Sequence, residues 1–471
     1  MTSSDRASEP APTSSTIDEV RAIARLAAPI ALAQVGLVSM SLVDTAMLGR
    51  VSDRDLAGHA VASAIGFAVI TLPMGATFAI EPLAAQALGA GEPARAWNAF
   101  RAAIRAALLL CGLALVFAVV FAGVLGPLGI ATTIVAPARA SLAAQFPGRI
   151  AFVLFLAGKS YLQAHGRTRP AIVAAVAGNV ANGVVCAVLV LGDRLRHVPL
   201  VGPWLPHSLG AFGAGVATTA GSVAMAWWVL RAASKLREAE LGTRRHDAVV
   251  DERDAAQSVD VRRVLRLGAP MGLQLLAEVG VFSIVSMAAG RLGPRVVSAH
   301  QIALSLASMT FMAALGVSGA TAVRVGHAVG RGASARKPGL IGIALGMCVM
   351  SFGAFAFVAA PRTLMALFTP NPATIDLGAR LLWIAALFAL FDGVQAVASG
   401  ALRGAGDTFV PFLANVVCHW AIGFPVAIAL GFGAHWGAQG LWWGLTAGLV
   451  AISIALTIRF VRLSSGPIRR V

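Results

Sequence analysis

Charged side chains are scarce in this sequence of 471 residues. Asp, Glu, Lys and Arg make up 12% of the residues, and hydrophobic residues make up 58%. A soluble protein carries about 25% charged residues, because its surface must face water. So few charges cannot cover the surface of a soluble fold of this length. Lipid is therefore expected to be the main solvent of the chain.

Cysteine is also scarce. The four cysteines, Cys111, Cys186, Cys348 and Cys418, all lie inside apolar runs. They have neither the paired spacing nor the neighbouring histidines that a zinc site needs. We expect small buried thiols that are neither disulfide-bonded nor metal ligands.

Motifs for nucleotide binding and for enzymatic chemistry are missing. Gly158, Lys159 and Ser160 resemble the end of a phosphate-binding loop, but Val153 occupies the place of its first glycine. The sequence has no HExxH motif and no cluster of paired aspartates of the kind that prenyl-transferring enzymes use. We therefore expect no enzyme and no cofactor. Transport would then have to be driven by an ion gradient.

Positive charge exceeds negative charge, with 37 Lys and Arg against 21 Asp and Glu. In a soluble protein this excess would suggest a nucleic-acid partner. In a membrane protein the same residues hold loops at the cytoplasmic face, so no nucleic-acid partner is expected.

Long apolar runs predict an all-α integral membrane protein, since about 20 apolar residues cross the hydrocarbon as a helix. An even number of spans places both termini on one side of the membrane. Lys and Arg concentrate in the loops on that side, which predicts cytoplasmic termini. The predicted spans are 26–49, 59–85, 98–124, 137–162, 170–192, 208–232, 264–290, 300–328, 338–360, 378–402, 409–432 and 437–460.

The two halves of the sequence repeat each other at a constant offset of 241 residues. Matches of glycine, proline and polar residues without a gap are hard to obtain from shared hydrophobicity alone. The matched pairs are Pro29 with Pro270, Gly49 with Gly290, Arg50 with Arg291, His59 with His300, Gly89 with Gly330, Gly91 with Gly332, and Pro170 with Pro411.

The repeat predicts two pseudo-symmetric lobes of six helices each. We expect a disordered cytoplasmic tail at 1–16, an N-terminal lobe at 17–235, a cytoplasmic linker at 236–262, a C-terminal lobe at 263–462 and a second tail at 463–471. The linker mixes both charge signs and lacks an apolar run. Six spans per half relate the lobes by an axis along the membrane normal, which places a substrate site between them.

Two carboxylates predict an ion site in the C-terminal lobe. Glu278 lies one helical turn from Gln274, and Asp392 lies close to Gln395. A carboxylate at membrane depth costs roughly 2.5–3.5 kcal/mol, so each intramembrane acid is a functional candidate. If Glu278 and Asp392 meet, they can hold Na⁺ or share a proton, because hard cations take oxygen ligands. The alternative is that each acid only packs between helices.

Asp44 is the candidate acid of the N-terminal lobe. Met40 and Met47 share its helix face, and adaptable thioethers beside an acid suit a cavity for varied organic cations. A local hydrogen bond of Asp44 is the alternative. Asn179 and Asn182 share one face of the fifth span and could complete this site. Amides that join membrane helices are nearly as common, so interhelical packing remains open for both.

Three further residues are expected to be structural or to take part in gating. Glu81 precedes a proline near the cytoplasmic end of the second span, where partial hydration lowers the free-energy cost of burying its carboxylate. Pro29 and Pro270 each free a backbone carbonyl inside or at the edge of a span. These prolines permit bending, although kinks without motion are the commoner outcome.

Several stretches together resemble the multidrug and toxic compound extrusion (MATE) family over nearly the whole chain. They are LAAPIALAQVGLVSMSLVDTAMLGR, EPLAAQALGAG, LGAPMGLQLLAEV, SAHQIAL and FDGVQAVASGALRGAGDT, of which the last three are similar to the NorM-like bacterial branch. The resemblance implies a V-shaped pair of six-helix lobes with a central cavity that exchanges Na⁺ or H⁺ for organic cations.

The resemblance also implies the site residues. The acid of the family's first-span motif falls on Asp44, and the two C-lobe acids of the branch fall on Glu278 and Asp392. The fifth span departs from the family pattern, because Asn182 is followed at the family spacing by Cys186, and a thiol is a poor ligand for Na⁺. This departure makes the C-lobe pair the better candidate for ion coupling.

The leading hypothesis is a monomeric, multi-pass antiporter in the bacterial inner membrane, surrounded by lipid, that exports small organic cations. A flippase for a lipid-linked precursor of the same superfamily is the alternative. A pyrophosphate-bearing cargo needs buried basic residues, and we expect Arg149 and Lys159 near the ends of the fourth span, which favours a cation. A membrane scaffold or passive channel is a third hypothesis, and a channel would not depend on the coupling acids.

Overall fold

The computed structural model describes residues 15–192, 207–244 and 259–471. These residues form helices and no strands, and twelve of the helices are long and apolar enough to cross a membrane. The all-α fold class predicted from the sequence is therefore confirmed. The spans, numbered in chain order, are Thr16–Leu48, Asp53–Gly89, Pro93–Val124, Thr132–Ala164, Arg169–Val190, Gly210–Leu241, Val261–Arg291, Pro294–Gly330, Arg336–Ala359, Pro372–Gly404, Phe409–Gly433 and Ala438–Leu463.

Most helices extend beyond the apolar segments that predict them, because polar turns continue past the hydrocarbon. Span 1 begins at Thr16, where the side chain of Ser15 accepts from the Asp18 amide and Asp18 accepts from the Ser15 amide. This capping box satisfies two backbone donors at the start of the helix. The helix of span 6 continues to Arg244 and so includes the first part of the predicted linker at 236–262. Linker residues 245–258 lie outside the described part of the chain.

Two spans are irregular. Span 2 consists of two helices, Asp53–Phe78 and Ile80–Gly89, which meet at Ala79. Span 11 begins as an α-helix at Phe409–Val416 and continues through π-helical turns at Val417–Gly423 and Ala429–Gly433 around a short α-helix, Phe424–Ile428. Such π turns are rare and often occur at functional sites. A further short helix, Pro361–Ala366, connects spans 9 and 10.

The helices pack in the same pattern in both halves. In the first half, span 4 packs on spans 2 and 6, and span 5 packs on span 6. In the second half, span 10 packs on spans 8 and 12, and span 11 packs on span 12. These three contacts of the first half therefore recur in the second half with every span number raised by six, as expected for a repeat.

The contacts between the halves follow the same symmetry. Span 1 packs on span 8, span 7 packs on span 2, and spans 2 and 8 pack on each other. Two close approaches between the halves are at Gly75 against Gly268 and Gly272, and at Gly316 against residues 27 and 31. A Cβ on Gly75 would clash with the carbonyl oxygen of Gly268. The two crossings are related by the 241-residue offset.

These crossings lie near the side of the bundle that carries the start of span 1 and the end of span 12, which we call the terminus side. Arg470 after span 12 pairs with Glu92 after span 2 at 3.0 Å, and two further ion pairs join spans of the two halves there. Arg324 of span 8 donates to both carboxylate oxygens of Glu19 in span 1, at 2.8 and 2.6 Å. Arg403 of span 10 lies 2.9 Å from a carboxylate oxygen of Glu81 in span 2. Small residues and paired charges therefore hold the two halves together on the terminus side.

Candidate transport site

A cavity of about 650 Å³ lies between the two halves. Spans 1, 2, 4 and 6 of the first half and spans 7, 8 and 10 of the second half form most of its wall. Apolar side chains such as Met74, Phe152, Met271 and Phe311 alternate there with a few polar and charged ones. A largely apolar cavity with few polar groups is the usual form of a small-molecule site.

Asp44 lies in the wall of this cavity and is 2% exposed. Asn182 of span 5 donates to one of its carboxylate oxygens at 2.9 Å, and Thr218 of span 6 donates to the other at 2.8 Å. Span 1, which carries Asp44, therefore meets spans 5 and 6 at this carboxylate. The donors stabilise its charged form, which an apolar wall alone could not hold.

Basic groups lie beside Asp44. Nε2 of His59 is 3.9 Å from the Asp44 carboxylate, and the opposite ring nitrogen of His59 is 3.0 Å from the Ser141 hydroxyl. Arg149 donates to the side-chain oxygen of Gln145 at 2.7 Å, and its charge acts on Asp44. The N-lobe acid is therefore part of a buried network that includes an arginine.

Glu278 occupies the opposite wall, on span 7. The amide of Asn415 in span 11 donates to it at 3.4 Å, and the structure shows no ion pair of Glu278 within the described residues. The indole N–H of Trp420, also in span 11, donates to the Ala277 carbonyl at 3.2 Å. Span 11 therefore supplies the hydrogen-bond donor of Glu278 and is bonded to the backbone of the preceding residue.

Asp392 lies behind the cavity wall on span 10 and is 8% exposed. Its carboxyl interacts electrostatically with Glu278. In the described part of the chain, no third His, Cys, Asp or Glu joins the two acids into a cluster. Further ligands for a cation would therefore have to be neutral oxygens, and the side-chain oxygens of Gln395 and Asn415 are buried without a hydrogen-bond partner.

The other predicted cavity residues divide into two groups. Met40, Gln274 and Gln395 line the cavity together with Asp44. Met47 instead packs against a small apolar cluster that contains Cys186, away from the cavity. Asn179 donates to the Gly36 carbonyl at 2.7 Å and to the Ala175 carbonyl at 2.8 Å. Asn179 thus joins span 5 to span 1, which is the packing alternative, whereas its neighbour Asn182 contacts Asp44.

The three residues expected to be structural or gating all lie near contacts between the halves. Glu81 is paired with Arg403 across the two halves. Pro29 lies between the span 1 residues that Gly316 contacts, and Pro270 lies between the span 7 residues that Gly75 contacts. Each proline therefore interrupts the backbone hydrogen bonding of its helix at a crossing of the two halves.

The expectation that Arg149 lies near an end of span 4 is wrong, because Arg149 falls in the middle of Thr132–Ala164, whereas Lys159 does lie close to the end of that helix. Both side chains line the cavity, on the same face of span 4 as Gln163. A prediction from hydropathy assigns charged residues to the ends of spans, because hydropathy does not distinguish a residue that faces lipid from one that faces a polar cavity inside the protein. The wall of the cavity therefore contains basic groups as well as acids.

Two residues that bond to the acids, Thr218 at Asp44 and Asn415 at Glu278, were not predicted as site residues. Thr218 matches a polar position of the family only loosely, and Asn415 lies in an apolar stretch of span 11. The signal that could have found Asn415 is the rarity of amides inside membrane helices, where they commonly form interhelical bonds. The sequence gives no indication that its partner is Glu278.

Comparison with known proteins agrees with this architecture. The family model described as MatE matches residues 29–188 and 270–429, two segments separated by the repeat offset. A probable multidrug resistance protein NorM of Deinococcus radiodurans is 36% identical over 467 residues, which cover 96% of this chain and 97% of that protein. The multidrug resistance protein PmpM of Pseudomonas aeruginosa is 31% identical over 465 residues, covering 96% and 93%.

Solved structures show the same fold. The eukaryotic MATE transporter AtDTX14 superposes with a TM-score of 0.80 at 19% identity, covering 95% of this chain and 96% of that one. The Vibrio cholerae MATE transporter VcmN in its bent form gives a TM-score of 0.76 at 17% identity, covering 96% and 98%. The predicted resemblance is thus confirmed, and this chain belongs to the MatE family of membrane transporters and is not an enzyme.

Proposed function

We propose that this protein exports organic cations from the bacterial cytoplasm in exchange for Na⁺ or H⁺. The observation that carries the proposal is the buried Asp44 carboxylate, held by Asn182 and Thr218 in the wall of a cavity between two repeated halves. Burying the charged carboxylate in an apolar wall costs free energy, and a cationic cargo or ion that binds there offsets this cost. The names of the NorM and PmpM relatives support a multidrug cargo.

Ion coupling is assigned to the C-lobe acids. Glu278 and Asp392 interact electrostatically, and neither has a basic partner among the described residues. Bringing two like charges together is unfavourable unless a cation or a proton is bound. Release of that ion would change the charge on the wall of the cavity. A bound ion can drive a conformational change only if it binds the two conformations with different affinity, and a charge that differs between the ion-bound and ion-free protein provides such a difference.

Alternating access would involve the contacts on the terminus side. Ion pairs such as Glu81 with Arg403 cross between the halves there, and separating them would open the cavity toward that side. Basic residues such as Arg167, Arg169 and Arg336 lie in loops or at the first residue of a span on the terminus side, which supports a cytoplasmic location of this side and of both termini. We assign the protein to the inner membrane as a monomer, since its two halves already form the pseudo-symmetric interface.

The test is efflux of a fluorescent organic cation from proteoliposomes, with a Na⁺ gradient and a pH gradient imposed separately. Wild-type protein should follow one gradient, and Asp392→Asn should abolish that dependence. Asp376→Asn is the matched control, because Asp376 lies in the same span but is exposed and pairs with Arg362. Efflux that continues in Asp392→Asn would instead indicate a passive channel.

A flippase for a lipid-linked precursor is the second candidate. It is favoured by the basic side chains in the cavity wall, Arg149, Lys159 and Arg403, which could hold a pyrophosphate. Glu81 already pairs with Arg403, and Asp44 lies near Arg149, so the basic charge is largely balanced. If the proteoliposomes move no dye under either gradient, translocation of a lipid-linked pyrophosphate is the activity to measure next.

A further inference from the structure

Lys159 is a buried cation without a carboxylate partner. Its side chain is 8% exposed and lines the terminus-side part of the cavity. The ammonium donates to the side-chain oxygen of Gln34 in span 1, and no ion pair of Lys159 is formed within the described residues. An ammonium has three hydrogens to donate. Two donors therefore remain for another group.

The nearest acid does not balance this charge. Glu81 acts on Lys159 electrostatically, but its carboxylate lies 2.9 Å from Arg403. Arg403 offsets much of the negative charge of Glu81, so that Lys159 has no carboxylate of its own. A buried charge without a partner is costly, because water is excluded and no opposite charge replaces it.

A second unused donor lies one helical turn away. Gln163 is 2% exposed and lines the same cavity, and its side-chain nitrogen has no hydrogen-bond partner. Residues four apart on a helix lie on one face, with Cβ atoms about 5–6 Å apart. Lys159 and Gln163 therefore place an ammonium and a buried, unused amide donor next to each other on the cavity face of span 4. A carboxylate has two acceptor oxygens that can take both.

The opposite wall has the opposite character. Glu278 lines the cavity from span 7, and its one hydrogen-bond donor in the described residues is the neutral amide of Asn415. The apolar side chains Phe152 and Leu156 lie between Arg149 and Lys159 on the cavity face of span 4. The cavity thus offers an apolar surface with a donor group on one wall and an acid on the other.

We propose that Lys159 and Gln163 form an anion subsite that binds a carboxylate of the cargo. The inference rests on the proposed export function and narrows it, because cargo that carries a carboxylate as well as a cationic group is bound better than cargo that carries the cation alone. Lys159 determines this preference, and Asp44 and Glu278 interact with the cationic part. Gln34 holds the ammonium in place from span 1.

Two dyes with one chromophore test the proposal. Rhodamine 110 carries a free carboxylate, and rhodamine 123 is its methyl ester. We would measure the Kd of each dye for the purified full-length protein by fluorescence polarisation, and its efflux from proteoliposomes. Lys159→Gln should weaken binding of rhodamine 110 by about tenfold or more, the value of a charge-assisted hydrogen bond, and should change rhodamine 123 less than about threefold.

Three variants serve as controls. Lys159→Arg keeps the charge and should retain most of the preference for rhodamine 110. Gln163→Leu removes the second donor and should weaken rhodamine 110 selectively. Lys235→Gln makes the same chemical change as Lys159→Gln at an exposed position outside the cavity, and should bind both dyes as wild type does.

Each remaining outcome has a definite meaning. Equal weakening of both dyes in Lys159→Gln would overturn the anion subsite and indicate a structural role for the lysine. Binding of rhodamine 123 but not of rhodamine 110 by wild type would overturn it as well, while the export function stands. If wild type binds and exports neither dye, the proposed function itself fails.

Discussion

Gln86 and His327, which are separated by the repeat offset, make similar bonds across the two halves of the protein, to carbonyls at the ends of spans 10 and 4. Nε2 of Gln86 in span 2 donates to the Gly404 carbonyl at the end of span 10, at 3.0 Å. Nε2 of His327 in span 8 lies 2.9 Å from the Ala164 carbonyl at the end of span 4. Because a carbonyl only accepts, Nε2 of His327 carries the proton. The repeat thus extends to single interactions between the halves.

Removing either bond should destabilise the closed terminus side. In Gln86→Leu and in His327→Leu a buried carbonyl loses its partner, which costs about 1–3 kcal/mol. We expect a lower Tm for both variants in detergent, measured by intrinsic fluorescence, and a larger decrease for Gln86→Leu, because its side-chain oxygen also accepts from the Val471 amide at 2.8 Å. Gln301→Leu is the control, since Gln301 lies on span 8 but is exposed. A Tm equal to that of wild type in either variant would contradict this stabilising role.

The hydrogen-bond donors around Asp44 should be needed for binding of a cation. Thr218→Val and Asn182→Leu each remove one donor that stabilises the charged carboxylate. A hydrogen bond to a charged group contributes about 1.5–3 kcal/mol, so dye binding should weaken by about tenfold or more. Fluorescence polarisation with rhodamine 123 measures this change.

The matched control for Thr218→Val is Thr45→Val. Thr45 is exposed and is adjacent in sequence to Asp44, so a loss in this variant would point to general disruption of span 1. Unchanged dye binding in both Thr218→Val and Asn182→Leu would show that the Asp44 site does not bind the cation. In that case Glu278 and Asp392 would remain as the cation-binding acids.

The glycines at the crossings should tolerate no side chain. Gly75→Ala and Gly316→Ala each place a methyl group against the backbone of the facing helix. Overpacking of this kind costs about 1–3 kcal/mol, so both variants should have a lower Tm and a lower rate of dye efflux. Gly112→Ala serves as the control, because its new methyl group would meet nothing within 4 Å. An unchanged Tm in Gly75→Ala would show that spans 2 and 7 can separate at no cost.

Much of the fold follows from sequence signals that act locally. The length and hydropathy of each span depend on the thickness of the hydrocarbon, so the predicted segments agree with the observed helices apart from their ends. The offset between Pro29 and Pro270 also predicts the repeat that relates the two halves. The acids Asp44 and Glu278 could be selected as candidates because a carboxylate inside a membrane helix is rare and costly.

Which residues of different helices contact each other could be learned only from the tertiary structure. The sequence suggested Asn179 and Asn182 equally as neighbours of Asp44, but only Asn182 contacts it, since the packing of span 5 turns Asn179 toward the backbone of span 1. A membrane helix that is apolar on every face carries little information about which face meets a neighbour. Packing of small residues decides that orientation.

The sequence by itself determined that this protein crosses the membrane twelve times in two related halves and that it carries acids at membrane depth. Only the tertiary structure decided that Arg149 and Lys159 face the cavity, because hydropathy treats every charge in a span as a cost of contact with lipid. Burial between packed helices changes that cost, since Gln34 and Gln145 supply hydrogen bonds that lipid cannot. The polarity of the cavity is therefore a property of how the spans pack together.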